Sequence, residues 1–425
     1  MRIVIDHIAR IEGHAGFIGK IVNGKIKEAK IETQEGARLF ESLLIGRHYF
    51  DAPVITARIC GVCPVIHMLT SIKAIENAFG IDSHPLTVTL RQLMLAGQTI
   101  QSHTLHLYFL VLADYFNADS GIEFAQKYPE DAKEFLALRD FGNRIVEIIG
   151  GRTIHPLTPK TGGFTKLPDT KKLAKLSAEI PQNMAAAKKL LNIISNVPLP
   201  EFSRSTNYVA MRDNIGYLPY EGLISSTQNH SMSAEKFIKT IRETETIHTP
   251  SKRAKIHSKG YLVGALSRIN LNSKKLNQEA AIELKKLNVT IPCFNSFYNN
   301  IAQAIEIIHL IEEAKVLLDE YLSEINDLGI NEINNQFKPK TSYGVGALEA
   351  PRGTLFHAYK FNREGLIVST NIITPTVQSI ANLEEDLKVW LKTRERGSQI
   401  NIEEEKKAVM KLIRAYDPCI TCATH

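Results

Sequence analysis

The stretch Arg58-Ile59-Cys60-Gly61-Val62-Cys63, with His67 just beyond it, decides the reading of this chain, because Asp417-Pro418-Cys419-Ile420-Thr421-Cys422, closed by His425, answers it at the other end. Each C-x-x-C brings two thiols within reach of one ion, and thiolate sulfur selects soft or borderline metals such as zinc, copper, nickel or iron. Four of the five cysteines lie in these pairs, so a single four-thiolate centre is the leading expectation. The fifth, Cys293, reads as a buried apolar thiol.

Residue types alone leave the metal open. Two C-x-x-C pairs ordinarily mark structural zinc when about twenty residues separate them; here nearly the whole chain intervenes. A redox dithiol has no thioredoxin-like strand-helix context at either motif. A metal held from both ends would close the chain on itself, with the loop before a Thr70–Phe79 helix packed against the Tyr416–His425 segment.

At 425 residues and 44% hydrophobic content the chain can bury a large core. Its net charge of +6 is spread thinly, and no basic run interleaves with aromatics, which argues against a nucleic-acid binder. Met1 to Asp6 enters a strand without the apolar stretch of a secretory signal. A cytoplasmic location is expected, with export on a partner's signal left open. The most apolar segment, Leu105 to Leu112, is too short to span a bilayer, so no transmembrane segment is expected.

The periodicity predicts an α+β fold, predominantly α, with a central bundle of long helices and small peripheral antiparallel β-sheets. One unit over residues 1–425 is expected: a β-hairpin region to about 50, a helical core to about 340, a β-rich segment to about 375, and C-terminal helices with the metal motif. Phe17 to Ile31 reads as a hairpin, since Asn23-Gly24 suits a type I′ turn. Tyr343 to Ile373 is a second β-rich stretch, folded back near Asn362 to Gly365. Leu86, Leu90, Leu93, Ile100 and Leu107 stripe a helix beginning after Pro85 that carries the histidines of Ser102 to His106. Ile301 to Ile325 forms another, with Glu306, Glu312, Glu313 and Glu320 expected outside. Thr240 to Lys255 reads as a polar surface excursion.

Arg10-Ile11-Glu12-Gly13-His14, Arg58 to His67, Ser102 to His106, Gly150-Gly151 to His155-Pro156, Ala350-Pro351-Arg352-Gly353, Pro375-Thr376 and Asp417 to His425 together resemble the large, catalytic subunit of nickel-iron hydrogenases, most closely the soluble multi-subunit group. The blocks follow the family's order, with residues 170 to 340 matching less clearly. The resemblance implies that Cys60, Cys63, Cys419 and Cys422 hold nickel, that Cys63 and Cys422 bridge to iron, and that the iron carries carbon monoxide and cyanide. It further implies heterolytic cleavage of dihydrogen with Cys419 as base. Glu12 would be the proton relay, since a carboxyl group can both accept and donate. Arg352 and Asp417 match the pair beside the open metal position, where a guanidinium donates in a fixed fork. Pro351, Pro375 and Thr376 match residues enclosing the diatomic ligands, and His67 is grouped with them. Ser102 stands where many members carry aspartate, which leaves a less charged shell.

Glu41, the backbone carbonyl near Ile372 and His425 match a second site, usually assigned to magnesium, although imidazole is not that ion's preferred donor. An end at His425 resembles the matured form of the family, after removal of an extension, or a chain encoded without one. An iron-sulfur cluster ordinarily needs four cysteines, and only Cys293 is spare. Electrons must therefore leave through another chain, in the family a small subunit carrying iron-sulfur clusters, with further diaphorase-type or electron-transfer subunits beyond it. No Gly-rich dinucleotide fingerprint is present. Three alternatives are weighed: the related quinone-site subunit of complex I, which lacks the paired cysteines; a hydrogen-sensing regulatory hydrogenase; and a zinc-stapled scaffold.

Overall fold

Pro64, Pro85 and Pro129 each open a long helix at the first helical position, where the missing N–H costs nothing and φ is already set. In a computed structural model, residues 2–22, 25–246, 249–325, 328–330, 333–394 and 401–425 are described. The long helices are α1 (Pro64–Phe79), α2 (Pro85–Thr104), α3 (Pro129–Gly150), α4 (Ile180–Asn196), α5 (Asn299–Glu324), α6 (Pro375–Arg394) and α7 (Ile402–Ala415). Helix α2 packs against α3 on one side and α5 on the other, and α5 packs on α4. The predicted stripe of Leu86, Leu90, Leu93, Ile100 and Leu107 is wholly buried, so the bundle expected from the sequence is the core. Beyond Thr104 the α2 helix widens to π geometry over Leu105–Val111, a form frequent at functional sites.

The sheets are small. Strands β1 (Arg2–Ile5), β2 (Ala15–Val22) and β3 (Lys25–Thr33) form an antiparallel sheet in that order. The hairpin is therefore part of a three-stranded sheet, and its expected Asn23-Gly24 turn lies outside the described residues. Strands β4 (Ile241–Thr246) and β5 (Thr249–Ile256) pair antiparallel. This corrects the surface excursion expected over Thr240 to Lys255: Thr249, Ser251 and Arg253 alternate inward and are buried, their polar groups bonded to one another and to Thr33 and Ile31. A polar sequence can line a buried face when each donor and acceptor is met.

Strands β6 (Ser342–Ala350), β7 (Gly353–Phe361) and β8 (Ile367–Ile373) form a second three-stranded antiparallel sheet. The reversal expected at Asn362 to Gly365 is present, with Gly365 N–H bonded to Asn362 O. A second reversal, at Pro351-Arg352, went unpredicted; Gly353 follows it at φ 128°, where a side chain would collide with Val263. Strand β6 lies directly on α1, and a Cβ on Gly346 would sit 2.3 Å from Thr70 O. Helix α1 itself begins at Pro64, six residues earlier than expected, so Cys63 is its N-cap.

Candidate metal centre

Cys60 and Cys63 sit in the loop that enters α1, held by α2: Gln98 Oε1 accepts from the N–H groups of Val65 and Ile66 at 2.7 and 3.3 Å, and Gln101 Nε2 donates to Val62 O. Cys419 and Cys422 follow α7. Between them and the helix Asp417 adopts a left-handed φ of 48°, a conformation aspartate tolerates better than most residues. The returning segment then aligns with the N-terminal motif, where Glu12 pairs with Cys419 in a parallel bridge and Ile420 N–H bonds to Glu12 O. Arg38 ties both motifs together, donating to the carbonyls of Arg58, Ile59 and Thr421.

The result is one buried group in which all four thiol sulfurs lie within 4.8 Å of one another. Cys60 Sγ is 3.5 Å from Cys419 Sγ, Cys63 Sγ is 3.4 Å from Cys422 Sγ, and Cys419 and Cys422 are 2.8 Å apart. All are free thiols. Burial pushes the Cys419 and Cys422 thiols well above their usual range, while hydrogen bonding from Cys419 leads in lowering Cys60. Four sulfurs in so small a buried volume cannot all ionise unless a cation offsets the charge. The donor set therefore fits a thiophilic metal centre. Cys293 lies apart from the group, its N–H bonded to Asn270.

Several side chains singled out by the resemblance lie around these sulfurs. Arg352, at the unpredicted turn, donates through Nε to Asp417 O at 2.7 Å and through Nη2 to Asp417 Oδ1 at 2.8 Å. Its Nη1 is buried without a partner, and the guanidinium as a whole is close enough to Cys419, Cys63 and Cys60 to be influenced by them. Thr376 Oγ accepts from Cys419 N–H at 3.0 Å, which leaves its own O–H available as a donor. Pro375, Thr376, Arg352 and Pro418 line a small cavity, and Pro351 O receives Arg268 Nη2. His67 Nε2 lies 3.6 Å from Cys422 Sγ and Nδ1 lies 3.3 Å from His357 Nε2. Burial brings the His67 pKa down to about 3, so the ring is neutral.

Glu12 is bound by a residue to which the sequence drew no attention. Thr421 donates its hydroxyl to Glu12 Oε1 at 2.5 Å and its N–H to Oε2 at 3.1 Å, while its Oγ stands 3.8 Å from Cys419 Sγ. Only the parallel alignment of residue 12 with residue 419 makes Thr421 face the carboxylate.

Glu41, Ile372 and His425 also converge. Glu41 Oε1 accepts from Ile372 N–H at 2.8 Å, and His425 Nε2 lies 2.7 Å from Ile372 O. Lys252 adds a feature not expected from sequence, its Nζ pairing with Glu41 Oε2 at 3.1 Å. An ion at these donors would compete with that ammonium.

A charged group expected at the surface lies in the core instead. Glu306 on α5, placed outside by the helical stripe, is fully buried, bonded by Arg268, His103 and Tyr217. Burial alone would raise its carboxyl, but the Arg268 charge overrides that and brings its pKa to about 2. Helical periodicity could not foresee it, since the compensating cation comes from a different segment. Glu312 and Glu313 are half-buried and Glu320 is exposed.

Two cysteine pairs closing one buried centre in a helical bundle define a thiolate metal-binding protein. Residues 38–139 and 207–425 match the family model for nickel-dependent hydrogenase, and the chain belongs to that family. The unmatched internal stretch, 140–206, shares only 170–206 with the 170 to 340 that the motifs left unclear and takes in the Gly150 to Pro156 block. The chain is 35% identical to the alpha chain of sulfhydrogenase 2 from Pyrococcus furiosus, over 100% of this chain and 99% of the relative. It is 30% identical to a chain of the F420-non-reducing hydrogenase vhu from Methanocaldococcus jannaschii, over 91% and 98%. Among solved structures, an NAD+-reducing NiFe hydrogenase in the H2-reduced state has a TM-score of 0.89 at 26% identity, covering 100% of this chain and 99% of that one. The reduced Ni-Fe-Se hydrogenase of Desulfomicrobium baculatum shares the fold, with a TM-score of 0.79 at 22% identity and full coverage of both chains.

Proposed function

We propose that this chain is the catalytic subunit of a soluble, cytoplasmic nickel-iron hydrogenase that converts dihydrogen reversibly to two protons and two electrons. The observation that carries the reading is the convergence of four buried thiols, with the buried Arg352 guanidinium, held by Asp417, under their influence. Cys60 and Cys419 would be terminal nickel ligands, with Cys63 and Cys422 shared with iron. When bound, the centre polarises dihydrogen for heterolytic cleavage and takes up its electrons. Carbon monoxide and cyanide on the iron would occupy the side enclosed by Pro351, Pro375 and Thr376, with the Thr376 hydroxyl as donor.

The chain's own residues handle the proton. Cys419 Sγ accepts it as base. Cys419 then passes a proton to Thr421 Oγ while the Thr421 hydroxyl proton moves to Glu12 Oε1, so the threonine ends unchanged and the charge moves outward. Arg352 holds its fork over the reacting position without exchanging protons. His67 offers Nε2 to Cys422 Sγ. Magnesium would bind at Glu41, the Ile372 carbonyl and His425, displacing Lys252 from Glu41.

Electrons leave through a small subunit carrying iron-sulfur clusters. Its docking face is read from Leu39, Leu43, Phe50 and Val54, all exposed, on the segment that Arg38 ties to both cysteine motifs. Leu157 is exposed as well, two residues after His155, which bonds to Ala57 O. Clustered exposed apolar side chains mark an interface. The physiological acceptor would bind to other subunits. Elemental analysis and infrared spectroscopy of the purified complex test the reading: nickel, iron and diatomic stretching bands are expected, and zinc without nickel would refute it.

A further inference from the structure

Asp417 holds Arg352 with its main-chain oxygen and with Oδ1, which leaves the direction of that carboxylate to whatever binds Oδ2. The group there is Gln303 on α5, buried in the middle of the bundle, with Nε2 3.1 Å from Asp417 Oδ2. An amide can turn either end toward a neighbour. Nitrogen toward a carboxylate attracts and oxygen repels, so the far end of the amide decides. Gln303 Oε1 lies 2.6 Å from His106 Nδ1.

His106 is fixed in turn. Its Nε2 lies 2.8 Å from Arg414 O, three residues before Asp417. Both ring nitrogens thus face carbonyl oxygens, which fixes the plane of the ring from two sides. His106 Nε2 also lies 3.9 Å from Asp417 Oδ1. One turn before Gln303 on α5, Asn299 Nδ2 donates to Ala415 O at 2.8 Å. The turn carrying Asp417 is therefore gripped from α5 at the main chain and at the carboxylate, with His106 donated by the widened end of α2.

We propose that Gln303, oriented by His106, is a positioning residue that sets the angle of Asp417 and through it aims the free Nη1 of Arg352 at the thiolate cluster. This rests on the hydrogenase reading. Neither side chain touches the sulfurs; both act through Asp417. A glutamine serving only to fill the bundle would have no need of this directed sequence of partners, in which each amide end meets a group of the opposite kind.

The test is Gln303→Met in the purified complex with its small subunit, a change that keeps length and removes both amide ends. Nickel and iron content are expected to match the parent, while kcat for dihydrogen oxidation falls by about tenfold or more with KM little changed, as misplacement of a charged group does. Diatomic infrared bands are expected to shift. In an Asp417→Asn background the same substitution is expected to add no further loss, because its effect passes through that carboxylate. His106→Leu is expected to reproduce the Gln303→Met spectrum, and supplies the readout if the methionine variant fails to accumulate. Parental kcat and bands in both variants, additive losses in the double variant, or a folded Gln303→Met complex devoid of nickel would each overturn the proposal. A parent enzyme lacking nickel and the infrared bands would instead sink the hydrogenase reading itself.

Discussion

Cys60 Sγ lies 3.5 Å from Cys419 Sγ, although 359 residues separate them in the chain. Nothing covalent joins the two motifs. The Arg38 bonds, the Glu12 bridge and the α2 glutamines hold them in place, so a metal bound there links the chain's first sixty residues to its last turn.

Cys422→Ser is expected to prevent stable assembly of the dinuclear centre, since a neutral hydroxyl replaces a ligand placed to be shared. Nickel and iron analysis of the purified complex checks this. A fully loaded, active variant would remove the bridging role.

Glu12→Gln is expected to leave both metals bound and to depress dihydrogen turnover by about tenfold or more, because general acid-base steps commonly supply about a hundredfold or more. Thr421→Val, which removes the hydroxyl between Cys419 and Glu12, is expected to act in the same direction. Unchanged turnover in Thr421→Val would take the hydroxyl out of the path.

Arg268→Met is expected to destabilise the fold by about 3–5 kcal/mol, the usual cost of leaving a buried charge without its partner, because it strands Glu306 and Glu349. Thermal unfolding of the complex measures it. A double change with Glu306→Leu is expected to recover part of the loss.

Burial holds the His309 pKa at about 4, below the 6.5 of a free ring, and Asn277 N–H bonds to its Nδ1, which requires that nitrogen unprotonated. The unfolded chain therefore binds the extra proton first as pH falls. This histidine's contribution is complete above pH 6.5 and is lost toward pH 4, by up to about 3 kcal/mol. Denaturant titrations across that window are expected to show a shallower slope for His309→Gln. An identical slope would contradict the assignment.

Leu43→Lys with Phe50→Asp is expected to abolish co-purification of the small subunit while the chain keeps its secondary structure by circular dichroism. Both side chains are exposed, with Phe50 stacked on His48 and meeting Tyr49 edge-on. Retention of the partner would move the interface elsewhere.

Much of this was legible in the sequence because it depends on local pattern. Thiol spacing announced a shared metal, Pro85 and the leucine and isoleucine stripes announced two of the long helices, and Asn362 to Gly365 announced a reversal. What failed depended on partners distant in sequence. Glu306 looked like a surface acid until Arg268 came to meet it, and the polar β5 strand looked exposed until Thr33 and Ile31 met its inward groups. Membership of the nickel-dependent hydrogenase family was already written in motif order.

The sequence by itself determined the ligand chemistry, since sulfur, carboxylate and guanidinium carry their affinities wherever they lie. Tertiary structure alone decided which of them face one another: Thr421 toward Glu12, Gln303 between His106 and Asp417, Lys252 against Glu41. The reason is range. Donor identity is a property of one residue, whereas hydrogen-bond geometry is fixed within a few tenths of an ångström by helices packed from opposite ends of the chain.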